Sequence, residues 1–296
     1  RKDNRQSVRF TANAAWRITE AKKLRLPKIG DVIVRWSRSL PSEPSSVTVI
    51  KDAAGRYFAS FVVQATDLPL PVGASEIGVD LGLAHFAVLS DGTKIDSPRF
   101  LRRAEKKLKM AQRAVSRKQR GSANRARARA KFARAHAKVA DSRREFCHQL
   151  STRLIRENQT IAVENLAVKG LSRTRLAKSV HDAGWSQFLK MLEYKAARSG
   201  RTVLRIGRFE PTSQVCSRCG ARDGPKPLHL RVWVCKACAA VLDRDVNAAI
   251  NVATAAGLAV SACGALVRPG HIPAQCAEAG TRPGTSRSTR SAEGIS

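Results

Sequence analysis

Two Cys-x-x-Cys knuckles, Cys216/Cys219 and Cys235/Cys238, stand about fifteen residues apart, and an acidic turn, Asp243-Arg244-Asp245, follows at once. Tetrahedral zinc takes four soft or borderline ligands, and each knuckle offers two thiolates from one tight turn. A redox pair or an iron–sulfur cluster fits two knuckles around the β-type segment 228–234 less well than a zinc ribbon does. Four thiolates leave no open coordination position, so this Zn2+ is expected to be structural. Elsewhere two apolar runs each carry one carboxylate: Asp80 between Val79 and Leu81, and Glu164 after Ile161-Ala162-Val163. Singly, each has a bland alternative. Asp80 could cap a turn at a strand end, Glu164 could be an exposed strand-end acid, and Asp245 or Asp243 could cap a helix. Together, Asp80, Glu164 and Asp245 form a set that can hold two Mg2+ or Mn2+ ions, one activating water and one stabilising the leaving oxygen of a phosphodiester.

The elements that must position these residues follow from periodicity. Residues 1–72 read as short strands, with Val47–Ile50 and Tyr57–Val63 flanking the turn Asp52-Ala53-Ala54-Gly55 as a hairpin. From 76 an apolar strand carries Asp80, with Gly78 and Gly82 allowing close approach; a second strand spans 85–89 and a third runs through Ile95. Residues 99 to about 157 are helical and break near Gly121-Ser122. Then come a strand at 161–166, helical spacing over Val180, Trp185, Phe188, Leu189, Leu192 and Ala196, a strand at 203–206, and a closing helix from Val246 to about Ala259. That order predicts an α/β ribonuclease-H-like layer, with antiparallel strands first and parallel strands added through helical crossovers. Cys147 and the aromatics Trp185 and Phe188 read as core; Cys263 and Cys276 have no assigned role.

Fifty-four Lys+Arg against 23 Asp+Glu give a formal net charge of +31. A surplus of that size points to a polyanionic partner, and nucleic acid leads. No apolar run approaches the roughly 20 residues of a spanning helix, and no secretory start is visible, so no membrane partner is expected. The odd cysteine count, with four in metal-type pairs, points to a reducing cytoplasm, and the charge to association with the nucleoid. Between Arg99 and Lys138 about sixteen Lys/Arg face a single acid, Glu105. Such a run is either a solvated face or a backbone-contacting arm. Because it joins two acid-bearing strands, Arg102, Arg103, Lys106, Lys107, Lys109, Arg113, Arg117, Lys118, Arg125 and Arg127 are the expected phosphate contacts.

The motifs GVDLG, VENL, TSQVCSRCG, a second CxxC and DRDVNAA occur in this order over roughly residues 8–262. In this the chain resembles the TnpB (OrfB) family of insertion-sequence proteins, relatives of the type V CRISPR effectors. The resemblance implies a RuvC-like nuclease domain in which Asp80, Glu164 and Asp245 are metal-binding catalytic acids, with Asp243 the near alternative for the third. It implies an endonuclease guided by an RNA from the element's end to a DNA target, with strand transfer left to a separate transposase. Typical members also carry further N-terminal barrel strands and a helical recognition insert, so this chain is expected to be N-terminally truncated.

The expected organisation is a partial β-barrel (wedge-type) domain over 1–72, the first part of the RuvC-like domain over 73–209, and an inserted zinc ribbon over 210–241. The closing RuvC-like helix follows at 242–262 and a disordered tail at 263–296. Two other functions remain open on sequence alone: a catalytically silent nucleic-acid-binding fragment or regulator of transposition, and a transposase performing strand transfer on the same fold and metals.

Overall fold

The computed structural model describes residues 6–227 and 229–258, so Cys263, Cys276 and the tail expected over 263–296 lie outside the described residues. Two compact units are each assembled from separate stretches: Arg1–Ala74, Ser97–Gln159 and Ala167–Val203 in one, and Ser75–Asp96, Thr160–Leu166 and Leu204–Ser296 in the other.

The first unit opens with β1 (Gln6–Thr11), β2 (Arg17–Ile18), β3 (Lys23–Leu26), β4 (Gly30–Ile33), β5 (Ser46–Lys51) and β6 (Tyr57–Val62). They form two antiparallel three-stranded sheets, ordered β1-β5-β6 and β2-β3-β4. Alternation in β3 buries Leu24 and Leu26 while Lys23 and Arg25 stay exposed, and the buried pair meets Val47, Phe10, Trp16 and Phe61. The expected β5–β6 hairpin is present. The Asp52 carboxylate closes its turn by accepting the N–H groups of Ala54 and Arg56, with Gly55 at φ 78°.

Helices α1 (Phe100–Ser116), α2 (Ala123–Glu157), α3 (Val168–Leu171), α4 (Ala177–Ala183) and α5 (Trp185–Ser199) complete this unit. The break near Gly121-Ser122 separates α1 from α2, with the Ser122 hydroxyl capping α2 by accepting the Arg125 N–H. The start of α1 is capped from a distance: buried Asp182 on α4 accepts the N–H groups of Leu101 and Arg102, and Arg143 neutralises it. Helical periodicity over 180–196 runs through two helices rather than one, because Gly184 takes φ 74° between α4 and α5. Cys147, Leu154, Phe188 and Leu192 are buried along α2 and α5, so Cys147, Trp185 and Phe188 are core residues. Burial pushes the Cys147 thiol up to about 11, which leaves it inert. Among the described residues, no helix is long and apolar enough to cross a membrane.

The second unit is built on β7 (Glu76–Leu81), β8 (His85–Leu89), β9 (Lys94–Asp96), β10 (Thr160–Val163) and the second half of β11 (Thr202–Arg205), in a sheet ordered β11-β10-β7-β8-β9. Strands β7, β8 and β9 pair antiparallel, while β10 joins β7 in parallel with Val163 beside Val79. The ladder from Thr202 N–H to Gln159 O and from Ile206 N–H to Val163 O climbs both chains in step, as parallel strands do. Two further strands, β12 (Val232–Val234) and β13 (Val241–Asp243), form the ribbon, and α6 (Arg244–Ala255) closes the unit against β7, β8 and β10. This is a ribonuclease-H-like layer carrying a four-cysteine module. Gly78 permits the closure: a Cβ there would overlap the Ala249 carbonyl of α6 and stand 2.8 Å from the Ala253 nitrogen.

Candidate active site and metal centre

In the ribbon, Cys216, Cys235, Trp233, Ala240 and Leu242 form a small core of their own. The four thiols lie with all sulfurs within 4.8 Å of one another. The Cys216–Cys238 and Cys219–Cys235 sulfur separations are both 3.7 Å. A Zn–S bond of about 2.3 Å gives a tetrahedron whose edge is about 3.8 Å, so the donor set fits zinc in both chemistry and spacing. Each knuckle turns its chain back with an N–H···O bond, from Gly220 to Cys216 and from Ala239 to Cys235. The N–H groups of Cys238 and Ala237 point at the Cys235 sulfur and bring its thiol down to about 7, which favours the thiolate that a metal requires. Burial works the other way on Cys216.

The acids meet because of register and period. In β7 the buried Ile77, Val79 and Leu81 share one face, and Gly78 and Asp80 share the other, where α6 packs. The Val163–Val79 pairing brings Glu164, one residue past the end of β10, alongside Asp80. Asp245 sits in the first turn of α6, where the helix dipole favours negative charge. Asp80 keeps some exposed surface, yet burial, then Glu164, then Asp245 push its carboxyl up to about 8, with Arg244 pulling the other way. Glu164 is also raised by burial, opposed by the Thr212 hydroxyl, which donates to its Oε1 at 2.8 Å.

Asp243 has other work. Its Oδ1 caps α6 by accepting the N–H groups of Asp245 and Val246, and its Oδ2 pairs with Lys94 at 2.6 Å. Burial would raise Asp243, but Lys94 and those amides outweigh it and hold the carboxyl below its ordinary value. The oxygens of Asp245 accept instead from Arg231 of the ribbon, at 3.1 and 3.2 Å. Among the described residues, the cysteines alone bring three or more ligand atoms within 4.8 Å; the carboxylates are set wider. Oxygen donors and mutual repulsion among carboxylates suit a hard divalent cation such as Mg2+ or Mn2+.

Of the basic residues singled out, Arg102, Arg103, Lys106, Lys107, Lys109 and Arg113 lie exposed on α1, Arg117 and Lys118 follow it, and Arg127 is exposed on α2. Arg125 differs. Its guanidinium donates to the carbonyls of Val115 and Lys118 at the end of α1. Sequence reasoning passed over Thr212, Asn247, Asn251 and Arg231. The two asparagines did leave a signal, being polar residues one turn apart within an otherwise apolar Ala/Ile/Val helix.

A family model described as "Probable transposase" matches residues 60–175, and one described as "Cas12f1-like, TNB domain" matches 185–252. A Streptomyces pristinaespiralis protein named "Putative RNA-guided DNA endonuclease" is 44% identical over 274 residues, 91% of this chain and 67% of the relative. The chain belongs to the TnpB/OrfB family. An Escherichia coli K12 relative in this family, "Putative RNA-guided DNA endonuclease InsQ", is 31% identical over 85% of the chain and 66% of its own length. The chain thus spans about two thirds of the length of these TnpB/OrfB relatives. In fold it is similar to a Cas12f1 chain solved with sgRNA and target DNA, with a TM-score of 0.53 at 14% identity, covering 84% of this chain and 59% of that one.

Proposed function

We propose that this chain is a transposon-associated, RNA-guided, metal-dependent DNA endonuclease, with Asp80, Glu164 and Asp245 holding the catalytic Mg2+ or Mn2+. The observation that carries the proposal is geometric: the parallel pairing of β10 with β7 sets Glu164 beside Asp80, and the helix that packs on β7 begins with Asp245 in its first turn. Repelling acids gathered at one sheet end are costly unless a cation neutralises them. When bound, the divalent ions supply Lewis acidity and an activated water. The protein's part is to hold three carboxylates at fixed positions and to orient them. Arg231 and Arg244 supply compensating positive charge beside Asp245 and Asp80.

Zinc on Cys216, Cys219, Cys235 and Cys238 fixes the ribbon next to α6 in sequence, so the module is structural in this reading. The exposed α1 residues are the proposed contacts to the phosphate backbone of guide RNA or target DNA, positioning without reading sequence. In functional terms the chain divides by motif: a wedge-like piece over 1–72, RuvC-like segments over 73–209 and 242–262, and the ribbon over 210–241. Strand transfer belongs to a separate transposase of the element.

The test is Mg2+-dependent cleavage of DNA matched to an RNA from the native locus, comparing the wild type with Asp80→Ala. Guide-dependent cutting lost in the variant supports the proposal. Salt-sensitive nucleic-acid binding without cutting would make the chain a binding protein, and joined rather than cut products would make it a strand-transfer enzyme.

A further inference from the structure

The segment from Thr212 to Ser217 touches three things at once. Thr212, nearly buried, donates its hydroxyl to Glu164 Oε1 at 2.8 Å. Four residues on, Cys216 is the first thiol of the ribbon. Between them, two side chains of α6 grip the backbone. Asn247, which is 1% exposed, accepts the Ser217 N–H at its Oδ1 (2.8 Å) and donates its Nδ2 to the carbonyls of Val215 (2.8 Å) and Thr212 (3.3 Å). Asn251, one turn further, donates to the same two carbonyls at 2.7 Å each. A buried amide with its oxygen and nitrogen both engaged holds one backbone arrangement, because any other leaves a polar group unpaired.

We infer that Thr212 is a positioning residue for Glu164, and that Asn247 and Asn251 lock it to the helix carrying Asp245 and to the first zinc knuckle. The hydroxyl satisfies Oε1 and stabilises the ionised carboxylate, leaving Oε2 to face a cation. Two of the three acids are thereby fixed relative to each other through one six-residue segment, Asp245 through the helix and Glu164 through Thr212. Zinc binding steadies the end of that segment. The inference rests on the reading of Glu164 as a metal ligand.

The experiment is Mn2+ titration of the zinc-loaded full chain, followed by the electron paramagnetic resonance signal of free Mn2+, with zinc content and thermal unfolding measured alongside. Thr212→Val keeps the side-chain shape and removes the hydroxyl; Thr212→Ser keeps the hydroxyl. Loss of an outer partner of a ligand typically weakens metal binding by about 10- to 100-fold. Thr212→Val is therefore expected to weaken Mn2+ binding about 10-fold or more with zinc content unchanged, and Thr212→Ser to restore it. If Thr212→Val also lost zinc, Asn251→Ala would carry the test, since Asn247 still holds both carbonyls; it should weaken Mn2+ binding severalfold at full zinc occupancy. Wild-type Mn2+ affinity in Thr212→Val, or equal weakness in the Val and Ser variants, would overturn the inference. An Asp80→Ala chain binding Mn2+ as the wild type does would instead overturn the metal reading beneath it.

Discussion

Gly78→Ala is the sharpest perturbation the fold offers, because it adds one carbon where a helix backbone already lies. The new Cβ would overlap the Ala249 carbonyl and stand 2.8 Å from the Ala253 nitrogen and 2.9 Å from the Ala253 Cβ, whereas ordinary contact begins near 3.4 Å. Backbone atoms cannot rotate aside as a flexible side chain can, so α6 as a whole must withdraw by roughly 1 Å or the sheet must yield. Overpacking of this kind costs about 1–3 kcal/mol. The more specific consequence is geometric. Asp245, Asn247 and Asn251 all ride on α6, and a displacement of about 1 Å at a reacting centre can cost on the order of 100-fold. Thermal unfolding and Mn2+ titration of Gly78→Ala should show a Tm lower by several degrees and Mn2+ binding much weaker than the Tm loss alone explains. Zinc content should be unchanged, since the knuckles hold their own core. Adding Ala253→Gly removes only the side-chain contact and should rescue little. Full rescue by Ala253→Gly, or wild-type Tm and Mn2+ affinity in Gly78→Ala, would refute the reasoning.

In the metal-free chain, Asp80 binds its proton more tightly folded, at about 8, than unfolded, near 3.8. Stability therefore falls as pH rises from about 4 to about 8, by at most about 1.4 kcal/mol per pH unit. Asp80→Asn should remove that slope, so its Tm advantage over the wild type should widen from pH 5 to pH 8; a constant gap would count against it. Cys235→Ser should drop zinc from about one ion per chain to near none and, through the segment held by Asn247 and Asn251, weaken Mn2+ binding too; full Mn2+ affinity without zinc would separate the two centres. Replacing Arg102, Arg103, Lys106 and Lys107 together by Ala should flatten the dependence of log K on log salt for duplex DNA by up to about 3.6, near 0.9 per lost phosphate contact. An unchanged slope would place the contacts elsewhere. Ala239 sits at φ 56° where the first knuckle has Gly220 at φ 75°, so Ala239→Gly should stabilise the ribbon by about 0.5–1 kcal/mol, read as slower zinc loss to a chelator.

Strongly patterned features were legible. The knuckle spacing gave the four-cysteine cluster, and apolar runs interrupted by one acid gave β7 and the end of β10. Parallel pairing of the later strands was expected from element order, yet the sequence holds no local mark of the register that sets Glu164 beside Asp80, since the partners come from residues 76–79 and 160–163. Asp243 and Asp245 could not be separated by spacing, because both suit the start of a helix. In the structure each has its own partner, Lys94 from a hairpin about 150 positions earlier for Asp243 and Arg231 of the ribbon for Asp245, and Asp245 is the one that acts on Asp80. The Asp182 cap on α1 and the Thr212–Glu164 bond escaped for the same reason. Single polar contacts between distant segments carry no periodicity.

The acids at residues 80, 164 and 245 belong to one compact unit whose chain leaves twice, for 97–159 and for 167–203, before α6 arrives to close it. On a ribosome the first acid emerges long before the third, and β7 must wait for β10 and then for α6 before the three acids stand together. Long-range parallel pairing is also the slow step in forming such sheets. A chain interrupted between the end of α1 and the acidic turn would carry the exposed basic surface of α1 but not the full set of three acids. On the proposed reading, assembly order completes the acid cluster last, after the basic helix proposed to contact nucleic acid has been made.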